Sequence, residues 1–284
     1  MTAYAVTGAT GPFGRLVIAS LLERGVAPSD VTAVVRSPEK AADLAELGVQ
    51  VRHGDYDRPE TLGTALTGID VLLLVSGSEV GKRVPQHTAV IDAAKAAGVG
   101  RIVYTSALRA DTTELPVAPE HKATEAALKA SGVPFTILRN GWYTENYTGQ
   151  LGSYRERGAV VDATGDGRIA AATRADYAEA AAAVLVADGH EGKTYELGGT
   201  PFTTTELAAT ITEVTGTPVA RQSITVAELA AVLRGAGLDE GTAGFVASLD
   251  EATARGDLDT DSGDLPRLLG RPATSLADAI RAAA

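Results

Sequence analysis

The 284-residue chain contains no cysteine, one tryptophan, one methionine and four phenylalanines. Without cysteine there are no disulfides, thiolate metal ligands or cysteine nucleophiles, and the composition suits a reducing cytoplasm. Histidine is scarce as well. The four histidines are scattered, none in an H-x-x-x-H spacing, so no metal site is expected. Apolar runs such as "VLLLV" and "AAAAVLVA" are too short to span a bilayer, and the N-terminus has no basic-then-apolar leader pattern. Positive charge is in deficit: 25 Lys and Arg against 36 Asp and Glu give a net charge of −11. That argues against nucleic acid or an anionic membrane as partner, because neutralising phosphate supplies much of such affinity. No G-x-S-x-G nucleophile elbow occurs. "GSEVGKR" has three residues between its glycines rather than four, and Arg after its Lys, so it is not a triphosphate loop. A cytoplasmic protein handling a small molecule remains.

What is present is alternation. "AYAVT", "VTAVV", "VQVRHGD", "DVLLLVS", "RIVYTSA" and "PFTILRN" read as strands. Helical patterns lie between them at Leu16–Arg24, Glu39–Leu47, Glu60–Leu66, "VPQHTAVIDAAKAAGV" and "EHKATEAALKASGV". The strands are apolar throughout, as strands buried on both faces should be. The expected fold is α/β: a Rossmann-type doubly wound parallel sheet with a smaller C-terminal α/β substrate lobe. Residues 1–145 form the dinucleotide-binding domain and 146–284 the lobe, with segments near 168–200 returning to the main sheet. "ENYTGQLGSYRERGAVVDATGDG" reads as irregular. Beyond it, "TRADYAEAAAAVLVA", "TTTELAATITEVTG" and "TVAELAAVLRGAG" read as helices and "KTYELGG" as a strand. The last thirty residues, with six acids in "DEATARGDLDTDSGD", read as a solvated loop. The alanine-rich face over 178–187 packs either a second subunit, giving a homodimer, or the sheet.

"GATGPFG" joins the first strand to the first helix. A tight strand-to-helix turn needs a residue free to take positive φ. A diphosphate approaching the helix N-terminus needs positions without a β-carbon, and the helix dipole with its unpaired N–H groups then stabilises the anion. Gly8, Gly11 and Gly14 meet these needs, and Ala9, Thr10, Pro12 and Phe13 complete the loop. The end of the second strand sets the cofactor. An acid there binds a ribose 2′-hydroxyl and repels a 2′-phosphate. Here it is Arg36, followed by Lys40, and a guanidinium fork suits a phosphate. The expected cofactor is therefore NADP(H).

"TGATGPFG", the strand order and "HGDYDRPETLGTAL" together resemble the extended and atypical short-chain dehydrogenase/reductases. That resemblance implies an adenine contact from Asp55, otherwise an ordinary strand-end acid or helix cap. The family's Tyr-x-x-x-Lys is missing: none of the eight tyrosines has Lys four residues on. Aligning Glu125 and "ASGVPFTILRN" with the family places His121 at the Lys position and Val117 at the Tyr position. Without that proton donor, a developing alkoxide is poorly served. A quinone is better suited, because hydride addition yields a delocalised anion that water can protonate.

"VSGSEVGKRVPQH", "VYTSALRADT", "LRNGWYTENY", "GDGRIAAATRADYAEAAA" and "GRPATSL" narrow the resemblance. They are similar to an NmrA-like atypical family that contains type 2 bacterial NADPH:quinone oxidoreductases and triphenylmethane-dye reductases. It implies hydride passed directly to a quinone or dye, without flavin. It also implies that Gly8–Phe13, Arg36, Ser76, Ser78, Glu79, Val80, Trp142, Tyr143 and Arg174 line the NADP site. Asn146, Tyr143 and Arg109 would face the substrate, and His121 would serve the ribose or acid–base chemistry. Plainer roles compete: Trp142 filling a core, Asn146 in a turn, His121 paired with Glu125, Arg174 and Asp176 capping a helix. NmrA-type regulators that bind NADP without turnover are the alternative function.

Overall fold

A computed structural model describes residues 1–284. The elements run β1 Tyr4–Thr7, α1 Pro12–Glu23, β2 Val31–Val35, α2 Ala42–Glu46, β3 Gln50–His53, α3 Glu60–Ala65, β4 Val71–Leu74, α4 Arg83–Ala97, β5 Arg101–Ala107, α5 Ala118–Ser131 and β6 Phe135–Asn140. Then come α6 Glu145–Thr148, α7 Leu151–Arg157, β7 Ala159–Asp162, α8 Arg174–Val186, β8 Thr194–Leu197 and α9 Thr204–Thr215. β9 Ala220–Ser223, α10 Val226–Gly235, α11 Glu240–Ala254, α12 Asp264–Leu269 and α13 Leu276–Ala283 complete the chain.

Seven strands form one sheet in the order β3-β2-β1-β4-β5-β6-β8, parallel from β3 through β6, and the expected α/β architecture is present. β1, β2, β4 and β5 are buried along their whole length, so both faces of the sheet are covered. Alternate residues sort between the faces. Ala5, Leu72, Leu74, Ile102 and Tyr104 join a core with Leu62, Val90, Ile91 and Ala94 of α3 and α4. β3 departs from the apolar expectation: it is only half-buried because it forms the sheet's edge.

The chain divides into two compact units. Unit 1 comprises Met1–Ala110, Pro119–Asn140 and Arg174–Tyr195; unit 2 comprises Asp111–Ala118, Gly141–Thr173 and Glu196–Ala284. The division falls after Asn140, where β6 ends, rather than after residue 145. The segment near 168–200 is itself divided, with α8 in unit 1 and Glu196 onward in unit 2. In unit 1, α8 packs on α1 and β5. Its alanines 178, 180, 181 and 182 are fully buried, so that face is covered within the unit.

Unit 2 corrects two expectations. The stretch 145–167 is not irregular. Its tyrosines anchor α6 and α7, with Tyr154 buried and Tyr147 set edge-on to Phe202, and β7 pairs in parallel with the unexpected β9. The acidic C-terminal stretch is not a plain loop either. α11 runs to Ala254 and two further helices follow, because Ala252, Thr253, Leu258, Leu265 and Ile280 supply buried anchors among the acids.

Candidate functional site

The glycine loop is built from three different constraints. Gly8 takes φ of 59°, which a side chain rarely adopts. Gly11 donates to the Gly8 carbonyl at 2.9 Å, and a β-carbon on it would lie 3.1 Å from that oxygen. At Gly14 a β-carbon would stand 2.5 Å from the same oxygen and 2.8 Å from Ala9 Cα. Ala9 and Phe13 are buried beneath the loop, Gly8 is exposed, and Thr10 and Gly11 are half-buried. Pro12 opens α1, which has no side-chain cap and no acid in its first turn. A loop that brings a helix N-terminus forward with no β-carbon in the way fits a diphosphate. Arg15 Nε donates to Thr10 O at 3.2 Å and its Nη2 to Lys40 O at 2.7 Å, and an ion pair with Asp43 completes the brace.

Arg36 follows β2 directly and is exposed, with Nη1 3.8 Å from Glu79 Oε1. Glu79 also binds Lys82 at 2.8 Å, and that ammonium holds its carboxyl below the ordinary range. Asp55 closes a turn: Oδ1 accepts from Asp57 N–H at 3.1 Å and Oδ2 lies 3.4 Å from Arg58 Nε. The loop after β4 is held from below. Ser76 N–H donates to Thr105 Oγ1 and Gly77 N–H to His87 Nε2, both at 2.9 Å. Beyond it, Ser78 and Val80 both stand exposed.

Beneath this edge lies a polar core that the sequence did not disclose. Tyr56 Oη donates to Thr7 Oγ1 at 2.5 Å or to Val75 O at 3.0 Å, tying β3's exit to β1 and β4. His87 Nδ1 meets Thr124 Oγ1 at 3.0 Å, and Tyr104 Oη meets His121 Nδ1 at 2.8 Å. Burial, reinforced by the Arg83 guanidinium, lowers His87 to about 4 and His121 to about 3. Both imidazoles are therefore neutral at physiological pH. His121 bonds Tyr104 rather than Glu125. The Glu125 carboxylate instead accepts Arg139 through Nε at 2.9 Å and Nη2 at 2.7 Å, and Ser106 Oγ at 2.7 Å. The family landmark Glu125…Arg139 is thus a bidentate buried ion pair joining α5 to β6. Arg109, just past β5, has φ of 48°, and Arg174 opens α8 half-buried. Asn140 ends β6 with both amide atoms buried and unpaired.

In unit 2, Trp142 O accepts from Ala172 N–H at 3.1 Å and Thr144 N–H donates to Ala172 O at 2.9 Å, so Tyr143 sits in a short bridge. Trp142 and Tyr147 lean, half-buried, on the Leu115–Ile169–Phe202 cluster. Asn146 lies in the one-turn α6, its carbonyl accepting from Gln150 Nε2 at 2.8 Å. No group of three His, Asp or Glu could hold a metal ion, and no helix is long and apolar enough to cross a membrane.

Known proteins resemble the chain along almost its whole length. Quinone oxidoreductase 2 of Escherichia coli K12 is 49% identical over 277 residues, covering 97% of this chain and 96% of the relative. The E. coli NADPH-dependent quinone oxidoreductase solved with NADPH superposes with a TM-score of 0.95 at 49% identity, covering 98% of each chain. The Citrobacter triphenylmethane reductase complexed with NADP(H) gives 0.95 at 40% identity, covering 99% of this chain and all of the other. A family model described as NAD(P)H-binding matches residues 8–188, and the chain belongs to that NAD(P)H-binding family.

Proposed function

We infer that the chain is an NADPH-dependent oxidoreductase that reduces a quinone, or a quinone-like or dye acceptor, by direct hydride transfer, with neither flavin nor a Tyr–Lys relay. The observation that carries this is the full-length likeness to the E. coli quinone oxidoreductase, combined with a glycine loop shaped for a diphosphate. NADPH, when bound, supplies the hydride. The chain's residues do the rest. Gly8, Ala9, Thr10, Gly11, Pro12, Phe13 and Gly14 present the N–H groups of α1 to the diphosphate. Arg36 takes the 2′-phosphate, and Glu79, 3.8 Å away, holds the guanidinium until it does. Asp55, Ser76, Ser78, Val80, Trp142, Tyr143 and Arg174 are proposed to complete the cofactor site, on the strength of the family resemblance.

Tyr143 and Asn146 are proposed to orient the acceptor, and unit 2 to be the substrate lobe. His121, neutral and bonded to Tyr104, acts by position rather than as an acid; water protonates the product anion. A cytoplasmic location is proposed from the cysteine-free composition. A homodimer draws no support from the alanine face of α8, which is covered. The test is NADPH absorbance loss with benzoquinone or menadione. Turnover is expected; intact NADP binding without turnover would instead identify an NADP-sensing regulator.

A further inference from the structure

Burial leaves a few side-chain atoms without a hydrogen bond. Two belong to arginines engaged through their other atoms: Arg101 Nη2 donates to the Val184 and Leu185 carbonyls at 3.1 and 2.9 Å, and Arg109 keeps other interactions. The remaining two are Oδ1 and Nδ2 of Asn140, a whole amide in a residue 8% exposed. Burying a donor and an acceptor together without partners is a net cost to the fold, so a group like this needs a reason to persist.

The place of Asn140 supplies one. It is the last residue of β6, paired with Ala107 of β5, and its carbonyl accepts from Leu108 N–H at 3.1 Å. The backbone is therefore pinned, and the amide turns only about χ1 and χ2. In open parallel sheets, ligands bind beyond the carboxyl ends of the strands. The order β2-β1-β4-β5-β6 places Arg36 to one side of the glycine loop and Asn140 to the other. If the adenosine 2′-phosphate is at Arg36 and the diphosphate at Gly8–Gly14, the nicotinamide half extends toward β6. Arg109, at the neighbouring strand end, is the only non-glycine residue with positive φ, a strain that concentrates at ligand sites.

We propose that the Asn140 side chain is the protein's contact for the nicotinamide carboxamide. The chemistry discriminates between ligands. A quinone carbonyl offers only acceptors and would satisfy Nδ2 alone. A primary carboxamide offers a carbonyl and an NH2 side by side, and so satisfies both orphaned atoms at once. The proposal rests on the NADPH reading above.

Calorimetry on the full chain tests it with three probes: NADP+, 2′-phospho-ADP-ribose (the same molecule without its nicotinamide) and the 3-acetylpyridine analogue, which lacks the amide NH2. In the native protein, the analogue should bind about tenfold more weakly than NADP+. Asn140→Leu should weaken NADP+ about 10- to 100-fold, leave 2′-phospho-ADP-ribose within twofold, and shrink the penalty of the analogue. With its orphaned atoms gone, the ligand-free variant should melt at or above the native temperature. Asn140→Ser, which also lacks the amide, should repeat the binding pattern if the leucine variant fails to fold. Equal losses for NADP+ and 2′-phospho-ADP-ribose would overturn the proposal. So would an unchanged NADP+ affinity with a raised quinone KM, which would give the amide to the acceptor. If the native protein binds neither NADP+ nor 2′-phospho-ADP-ribose, the NADPH reading itself falls.

Discussion

The two units begin their helices differently. In unit 2 the four longest helices are closed by side chains. Thr203 with Glu206 and Thr225 with Glu228 form reciprocal capping boxes, and Asp239 and Ser275 accept from the first turns of α11 and α13. In unit 1, α1 to α4 have no cap from their own N-cap residue. α4 borrows one, since Glu120 Oε1 accepts from Gly81 and Arg83 N–H at 3.0 and 3.2 Å. At α1 nothing of the kind is arranged: glycine replaces the capping side chain and no acid follows. The contrast separates a helix start built to hold itself together from one built to receive an anion.

Acid should separate the units most. His87 and His121 have folded values of about 4 and about 3 against 6.5 in the unfolded chain. Between those limits the unfolded state binds more protons, so stability falls as pH drops below about 6.5, by a few kcal/mol. In unit 2, burial raises Asp250 to about 6 from 3.8. The folded state then binds the proton more tightly, so this contribution is full below about pH 4 and is lost as pH rises toward 6. Hydrogen exchange at pH 5 should therefore show unit 1 losing protection relative to pH 7 before unit 2. Uniform loss would erase the distinction.

The glycine loop gives the next largest effect. Gly14→Val should lower the melting temperature by about 5–10 °C, because the new side chain meets backbone. Gly152→Ala in α7, where a β-carbon meets nothing within 4 Å, should leave it unchanged or slightly raised. For Arg36→Asp, the KM for NADPH should rise tens-fold and NADH should become the preferred donor, with thermal stability unmoved. Unchanged constants would remove Arg36 from the site. Smallest is the cap test: Thr203→Ala or Thr225→Ala should each cost about 1 kcal/mol in denaturant unfolding and leave NADP+ affinity intact.

Unit 1 was largely legible in the sequence because its signals are local and strong. Strands buried on both faces read as unbroken apolar runs, and glycines spaced three apart between a strand and a helix point to one kind of turn. The polar strand β9, "ARQS", was illegible because its only partner, β7, lies about sixty residues earlier. α6 and α7 were hidden by the glycines that end and link them. His121 stood out by its position, but its partner Tyr104 sits mid-strand, where an apolar run reads simply as core. Asn140 passed as an ordinary strand end. Only the absence of a partner marks it, and that is a property of three dimensions.

The segment boundaries have a consequence for biosynthesis. The polypeptide passes from one unit to the other at 110, 118, 140, 173 and 195. Neither unit is complete as a single stretch of nascent chain. The first must wait for α8, and the second closes only with the C-terminal helix, so a ribosome stalled after β6 would release a sheet lacking its last strand and one of its covering helices.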